Sequence, residues 1–170
     1  PGKAKNAVKR VLIVDDHPMM RQGLAQLIDN EIDLKVAAEA DTGGQGLDIV
    51  VTQKLDLAVL DISLPDKNGL ELIKDIRSVK PELPILIVSM HDEALYAERV
   101  LRAGARGYIM KQEGGKKLLQ AIRQVLTGQI YVSEKMSARI LETFSGQSPE
   151  HSASPVARLS DREFEVFQLI

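Results

Sequence analysis

The 170-residue chain contains no cysteine. That absence excludes a disulfide framework and any metal site built on thiolates, and it fits a reducing compartment. No apolar run approaches the roughly 20 residues that a membrane-spanning helix needs. Nor is there an excess of charge of one sign: 22 basic side chains face 24 acidic ones, for a formal net charge of −2. Residues 1–128 carry 18 of each sign, and residues 129–170 carry four basic (Lys135, Arg139, Arg158, Arg162) and six acidic. Neither part is a basic patch, so a surface that neutralises nucleic-acid phosphates is expected to lie mostly outside this chain. The opening stretch holds Lys3, Lys5, Lys9 and Arg10 without the apolar core of a signal peptide, and residues 1–9 read as a disordered tail. A hydrophobic content of 44% suffices for one packed domain of ordinary size, with a remainder too short for another.

Four short apolar runs each end on a polar residue. Val11–Val14 leads to Asp15 and Asp16, Leu57–Leu60 to Asp61, Ile85–Val88 to Ser89, and Tyr108–Met110 to Lys111. Runs this short, rich in Val, Ile and Leu and separated by amphipathic stretches, have the pattern of strands buried in a parallel sheet. The carboxyl ends of such strands share one edge, and in open α/β sheets that edge holds the ligand. Three carboxylates, a hydroxyl and an ammonium gathered there suit a hard divalent cation and a phosphoryl group better than hydride or acyl transfer.

A strand-then-helix unit recurs five times before Gly128. A strand over 10–14 precedes a helix opened by Pro18, with Met20, Leu24, Leu27 and Ile28 at helical spacing. A strand over 34–38 is followed by Thr42-Gly43-Gly44 and a helix through Leu47, Val50 and Val51, then by a strand over 57–60. Asn68 caps the next helix, with Glu71 three residues on and Leu72, Ile73 and Ile76 as its buried face. A strand over 85–88 follows Pro84, and Asp92 caps a helix whose face is Leu95, Val100 and Leu101 and whose stop is Gly104. After the strand that ends at Lys111, a last helix uses Leu118, Leu119, Ile122, Val125 and Leu126. Right-handed crossovers place such helices on both faces of the sheet, so residues 10–128 are expected to form a flavodoxin-like (βα)5 doubly wound parallel sheet.

Residues 129–158 read as a linker that includes a helix near 133–144, capped by Ser133 and carrying Met136, Ile140, Leu141 and Phe144 on one side. Ser145 to Ala157, rich in Ser, Pro, Gly and His, has little to bury. Ser160 with Glu163 then makes a capping box, and Leu159 with Phe164 a hydrophobic staple, which predicts a helix over 159–170. Its Phe164, Val166, Phe167, Leu169 and Ile170 exceed what one helix can bury alone, so it is expected to open an all-α domain continued downstream.

Taken singly, the polar strand-end residues have ordinary explanations: an aspartate after a strand is commonly a turn or cap residue, and a lysine there is commonly a solvated charge. Their combination differs. Asp15, Asp16 and Asp61 bring like charges to one place, which costs energy unless a cation or proton neutralises them.

Through VLIVDDHP, LDLAVLDISLPDKNGLELI, PILIVSMHD and GARGYIMK, residues 10–128 resemble the receiver domain of two-component response regulators. The tail LSDREFEVFQLI resembles the first helix of a LuxR-type helix-turn-helix, the output module of the NarL/FixJ class. The resemblance implies that Asp61 is the phospho-acceptor of a partner histidine kinase. It implies that Asp15, Asp16, Asp61 and the carbonyl of Ser63 hold Mg²⁺, and that Lys111 contacts the phosphoryl oxygens. By the same resemblance Ser89 and Tyr108 would be the switch pair, the hydroxyl turning toward the phosphoryl group and Tyr108 moving inward. Also implied are the strand order 2-1-3-4-5, a cytoplasmic protein and a phosphorylation-dependent homodimer. DNA binding falls to the domain mostly missing from this chain, because the recognition helix that enters the major groove is absent. Such a protein promotes its own phosphorylation and dephosphorylation without being a turnover enzyme, since a carboxylate is already a nucleophile at neutral pH.

Gln112, where many receivers have proline, follows Lys111, and Ser63 and His91 stand two positions after Asp61 and Ser89, at the mouth of the site. His17, next to the acids, reads as structural. Two rival classes fit less well. A metal-dependent aspartyl phosphatase usually presents its nucleophile in a D-x-D pattern, whereas Asp15-Asp16 is contiguous; an unphosphorylated interaction scaffold is expected to have lost an acid or the lysine, and none is lost.

Overall fold

The structure is a computed structural model and describes residues 7–144. Lys9–Val14 (β1), Leu34–Ala40 (β2), Leu57–Leu60 (β3), Ile85–Ser89 (β4) and Gly107–Met110 (β5) form one parallel sheet in the order β2-β1-β3-β4-β5. This is the order the family resemblance implied. Val11–Val14, Leu57–Leu60 and Ile85–Val88 are buried throughout, because helices cover both faces of these strands; that is why the runs show no alternation.

The helices are Pro18–Asp29 (α1), Gly43–Thr52 (α2), Gly69–Val79 (α3), Glu93–Ala103 (α4), Gly115–Leu126 (α5) and Glu134–Phe144 (α6). Leu24 and Ile28 of α1 and Leu118, Ile122 and Val125 of α5 share a core with Val11, Ile13, Val59 and Val88. The alternate strand residues Leu12, Val14, Ala58 and Leu60 are buried as well, on the face where α2, α3 and α4 pack side by side.

Side chains cap the helices as their residue types dictate. Asn68 Oδ1 accepts from the Leu70 N–H at 2.9 Å, Asp92 Oδ1 from Ala94 at 2.8 Å, and Ser133 Oγ from Met136 at 3.1 Å. The first turn of α2 has a second cap from outside the helix. Asp66, on the loop after β3, accepts the Gly43 and Gly44 N–H groups at 2.8 Å each. Burial raises this carboxyl, but the two N–H groups outweigh it and hold Asp66 below the usual carboxylate range.

Some expectations need correction. The buried face of α4 is Tyr96, Ala97 and Val100; Leu95 is exposed and Leu101 half-buried. Val100 fixes the phase, and positions three and four residues before it share its side of the helix while Leu95 falls outside. Val51 of α2 and Leu141 of α6 are likewise exposed. Strand β2 runs on to Ala40, and β4 takes in Ser89.

The chain divides into two compact units, 1–131 and 132–170, and within the described residues the second contributes α6. The stretches read as a linker over 145–157 and a helix over 159–170 lie outside the described residues.

Gly69 opens α3 where a Cβ would lie 2.6 Å from Ile62 Cα and 3.0 Å from the carbonyl oxygen of Asp61, both backbone atoms. Helix propensity favours alanine by at most about 1 kcal/mol, whereas overpacking costs roughly 1–3 kcal/mol. Gly69→Ala is therefore expected to destabilise the fold by up to about 2 kcal/mol net, seen as a lower urea midpoint with unchanged slope.

Candidate functional site

The strand register assembles the site. Val14 pairs with Leu60, so the residues that follow, Asp15 and Asp61, emerge side by side from β1 and β3. Ser89 pairs with Met110, and Lys111 follows as the first residue of a short 3₁₀ turn, Lys111–Glu113. Among the described residues, the buried polar or charged ones are Asp15, Asp61 and Ser89.

The Lys111 side chain is 3% exposed, and its Nζ lies 3.0 Å from Asp15 Oδ2 and 3.1 Å from Asp61 Oδ2. The exposed His17 also meets the acids, its Nδ1 lying 3.0 Å from Asp15 Oδ1, 3.1 Å from Asp16 Oδ1 and 3.6 Å from Asp61 Oδ2. Asp16 Oδ1 is buried with no hydrogen-bond partner despite that neighbour. One imidazole nitrogen can carry a single proton, so Nδ1 cannot serve the Asp15 and Asp16 oxygens together. Arg21, one turn into α1, donates to the Asp15 carbonyl at 2.6 Å and fixes the backbone between the acids.

Ligand atoms of Asp15, Asp16, His17 and Asp61 lie within 4.8 Å of one another. Three carboxylates against one ammonium leave a surplus of negative charge, and the buried Asp16 oxygen has no hydrogen-bond partner that would offset it. Hard oxygen ligands in that arrangement fit a divalent cation such as Mg²⁺.

The remaining site residues meet at His91. Ser63 donates its N–H to Asp61 Oδ1 at 3.3 Å, while its Oγ is 2.9 Å from His91 Nε2. Ser89 Oγ accepts the His91 N–H at 3.1 Å, and the Tyr108 hydroxyl donates to the His91 carbonyl at 2.6 Å. Tyr108 is 1% exposed, and the His91 ring tilts against that of Tyr96 with centroids 4.9 Å apart. Sequence reasoning left out Arg21 and the linking part of His91, and it read His17 as structural only. The position of His17 directly after two acids was the one available signal.

The family model described as response regulator receiver domain matches residues 11–123. The chain belongs to that family. This receiver is 32% identical over 162 residues to the response regulator GacA of Pseudomonas aeruginosa, a match covering 95% of this chain and 74% of that protein. It is 34% identical over 165 residues to the oxygen regulatory protein NreC of Staphylococcus haemolyticus, covering 95% and 76% respectively. Among solved structures it is similar to a LuxR-family two-component response regulator from Aurantimonas sp. SI85-9A1, with a TM-score of 0.75, 32% identity, and 82% of this chain and 99% of that one covered. RcsB, solved as two dimers bound to two parallel DNAs, gives a TM-score of 0.72 at 27% identity over 95% of this chain and 76% of that one. The receiver is thus part of a two-component response regulator of the NarL/FixJ, LuxR-type class, which controls transcription. The phosphatase and scaffold readings are not favoured. Among the described residues, no helix is long and apolar enough to cross a membrane.

Burial pushes the Asp61 carboxyl of this receiver above its ordinary value; Lys111 pulls it down and Asp15 adds to the rise. For Lys111 burial is also the largest influence, downward, but Asp15 and Asp61 together outweigh it, so the ammonium is held charged. Burial pushes the Tyr108 phenol well up, which keeps it a neutral donor.

Because the folded value of Asp61 lies above its unfolded value, ionising it opposes folding. Stability from this group is fully present below the unfolded value of about 3.9 and is lost as pH rises through the folded one. Asp61→Asn never ionises, and Lys111 keeps Asp15 at 3.0 Å. The variant is expected to melt higher than the native chain at pH 7. The gap closes as pH falls toward about 4. Equal melting temperatures at pH 7 would contradict this assignment.

Proposed function

We propose that Asp61 is the phospho-acceptor of this regulator and that a sensor histidine kinase supplies the phosphoryl group. The observation that carries the proposal is the pairing of a buried nucleophilic carboxylate with a buried ammonium 3.1 Å away, beside a buried Asp16 oxygen without a hydrogen-bond partner. An Asp61 oxygen bonds to phosphorus as the P–N bond of the donor phosphohistidine breaks, and the imidazole leaves with the electron pair. The Lys111 ammonium is placed to offset charge on the phosphoryl oxygens. Asp15, Asp16 and Asp61, with the Ser63 carbonyl, are the residues that would hold Mg²⁺, and the bound ion supplies further neutralisation of the same charge.

Phosphorylation adds close to two negative charges and three acceptor oxygens at Asp61. Ser89 Oγ now takes the His91 N–H, and turning its hydroxyl toward the phosphoryl group releases that bond. Tyr108 is held by the same residue's carbonyl, so the loop after β4 carries the change from Ser89 to Tyr108. In this reading residues 10–128 are the receiver, 129–158 the linker and 159–170 the first helix of a LuxR-type DNA-binding domain. Phosphorylation then favours a homodimer that reads paired half-sites, a reading supported by the likeness to RcsB solved as DNA-bound dimers.

Incubating the chain with Mg²⁺ and a small acyl-phosphate donor, then measuring intact mass, tests this without a kinase. The native chain is expected to gain one phosphoryl mass, Asp61→Asn none, and chelating the metal to abolish the gain. Equal gain in both proteins would show that Asp61 is the wrong residue.

A further inference from the structure

Strand β5 ends the sheet, so one of its sides has no neighbouring strand and is open to pairing. The first half of that side is already taken by this chain's own exit segment. After α5 the backbone turns back along β5, and Tyr131 lies parallel to Gly107. The Tyr131 N–H donates to the Arg106 carbonyl at 3.0 Å, and the Tyr108 N–H donates to the Tyr131 carbonyl at 2.9 Å. Gln124 Nε2 holds the preceding residue by donating to the Ile130 carbonyl at 2.8 Å.

The approach depends on a glycine. A Cβ on residue 107 would lie 3.0 Å from the Tyr131 carbonyl oxygen and 2.9 Å from Leu86 Cδ1. The Tyr131 side chain packs against the core shared by α1, α5 and the sheet, so the segment is fixed by burial as well as by hydrogen bonds.

Tyr108 therefore has two anchors. Its hydroxyl is tied to His91, whose N–H is tied to Ser89 at the site, and its backbone N–H is tied to Tyr131, the last residue of the first compact unit. We infer that Tyr131 is a positioning residue: its backbone bridge to β5 favours the inward placement of Tyr108 and thereby couples the phosphorylation site to the segment leaving the receiver. This rests on the proposed roles of Asp61, Ser89 and Tyr108. Such coupling is reciprocal at equilibrium. Tyr108 is already inward here, so a phosphoryl group that stabilises this placement further tightens the Tyr131 bridge, and loosening the bridge weakens binding of a phosphoryl analogue by the same factor.

Beryllofluoride with Mg²⁺ serves as the non-covalent phosphoryl analogue, and the full chain is compared with Tyr131→Pro, which lacks the bridging N–H, and Tyr131→Phe, which keeps both backbone bonds. Beryllofluoride is expected to slow amide exchange of Tyr131 and Tyr108 in the native chain at least 5-fold, at the low end of typical coupling. Tyr131→Pro is expected to bind beryllofluoride at least 5-fold more weakly, and Tyr131→Phe with native affinity. Native binding with unchanged Tyr131 exchange overturns the coupling, whether or not the proline variant folds. Native affinity in a folded Tyr131→Pro overturns it too. Absence of binding to the native chain, or equal binding to Asp61→Asn, instead removes the reading of Asp61 and the coupling with it.

Discussion

The Lys111 ammonium, enclosed between Asp15 and Asp61, is the contact on which the site's edge of the sheet depends. It belongs to the turn after β5, while its two partners end β1 and β3, and β4 stands between β3 and β5 in the sheet. One side chain thus ties together strand ends that are not neighbours. A buried ion pair adds little net stability compared with apolar packing, but removing one partner leaves an uncompensated charge and costs about 3–5 kcal/mol. Its contribution is positional: the carboxylates cannot move apart without stranding the lysine, and the lysine cannot leave without stranding them.

This constraint also explains why the acid pocket tolerates its own charge. Asp15 and Asp61 share the ammonium, Asp15 also has His17, and Arg21 secures the main chain between Asp15 and Asp16. Among the described residues, Asp16 Oδ1 is the buried side-chain oxygen left without a hydrogen-bond partner. The pocket therefore keeps an excess of negative charge, with an unsatisfied oxygen on Asp16, and that excess is what makes a divalent cation the complementary guest.

Much of the fold was legible because burial on two faces leaves a simple trace. Strands covered by helices on both sides become unbroken apolar runs, and their ends were readable to within two residues. Convergence of Asp15, Asp16, Asp61 and Lys111 was legible for the same reason, since all follow such runs. Helix faces were less so. In α4 the apolar residues Leu95, Tyr96, Val100 and Leu101 allow two phases, and only packing selects the one that buries Tyr96. The polar contacts of Asp66, His91 and Arg21 left no trace, because hydrogen bonds between loops have no periodicity. The order 2-1-3-4-5 came from resemblance, as alternation of strands and helices alone is compatible with several windings.

The cap that Asp66 places on α2 joins two pieces of backbone that are otherwise separate. Thr42 satisfies one N–H of that helix from within, but those of Gly43 and Gly44 are satisfied only as long as the loop after β3 stays where it is. That loop also carries Ser63, whose N–H is bonded to Asp61. Lifting it away from the acid pocket uncovers two N–H groups at the start of α2, so opening of the loop weakens the first turn of the helix. The first turn of α2, on the β2 side of the sheet, is in this sense part of the rim of the site.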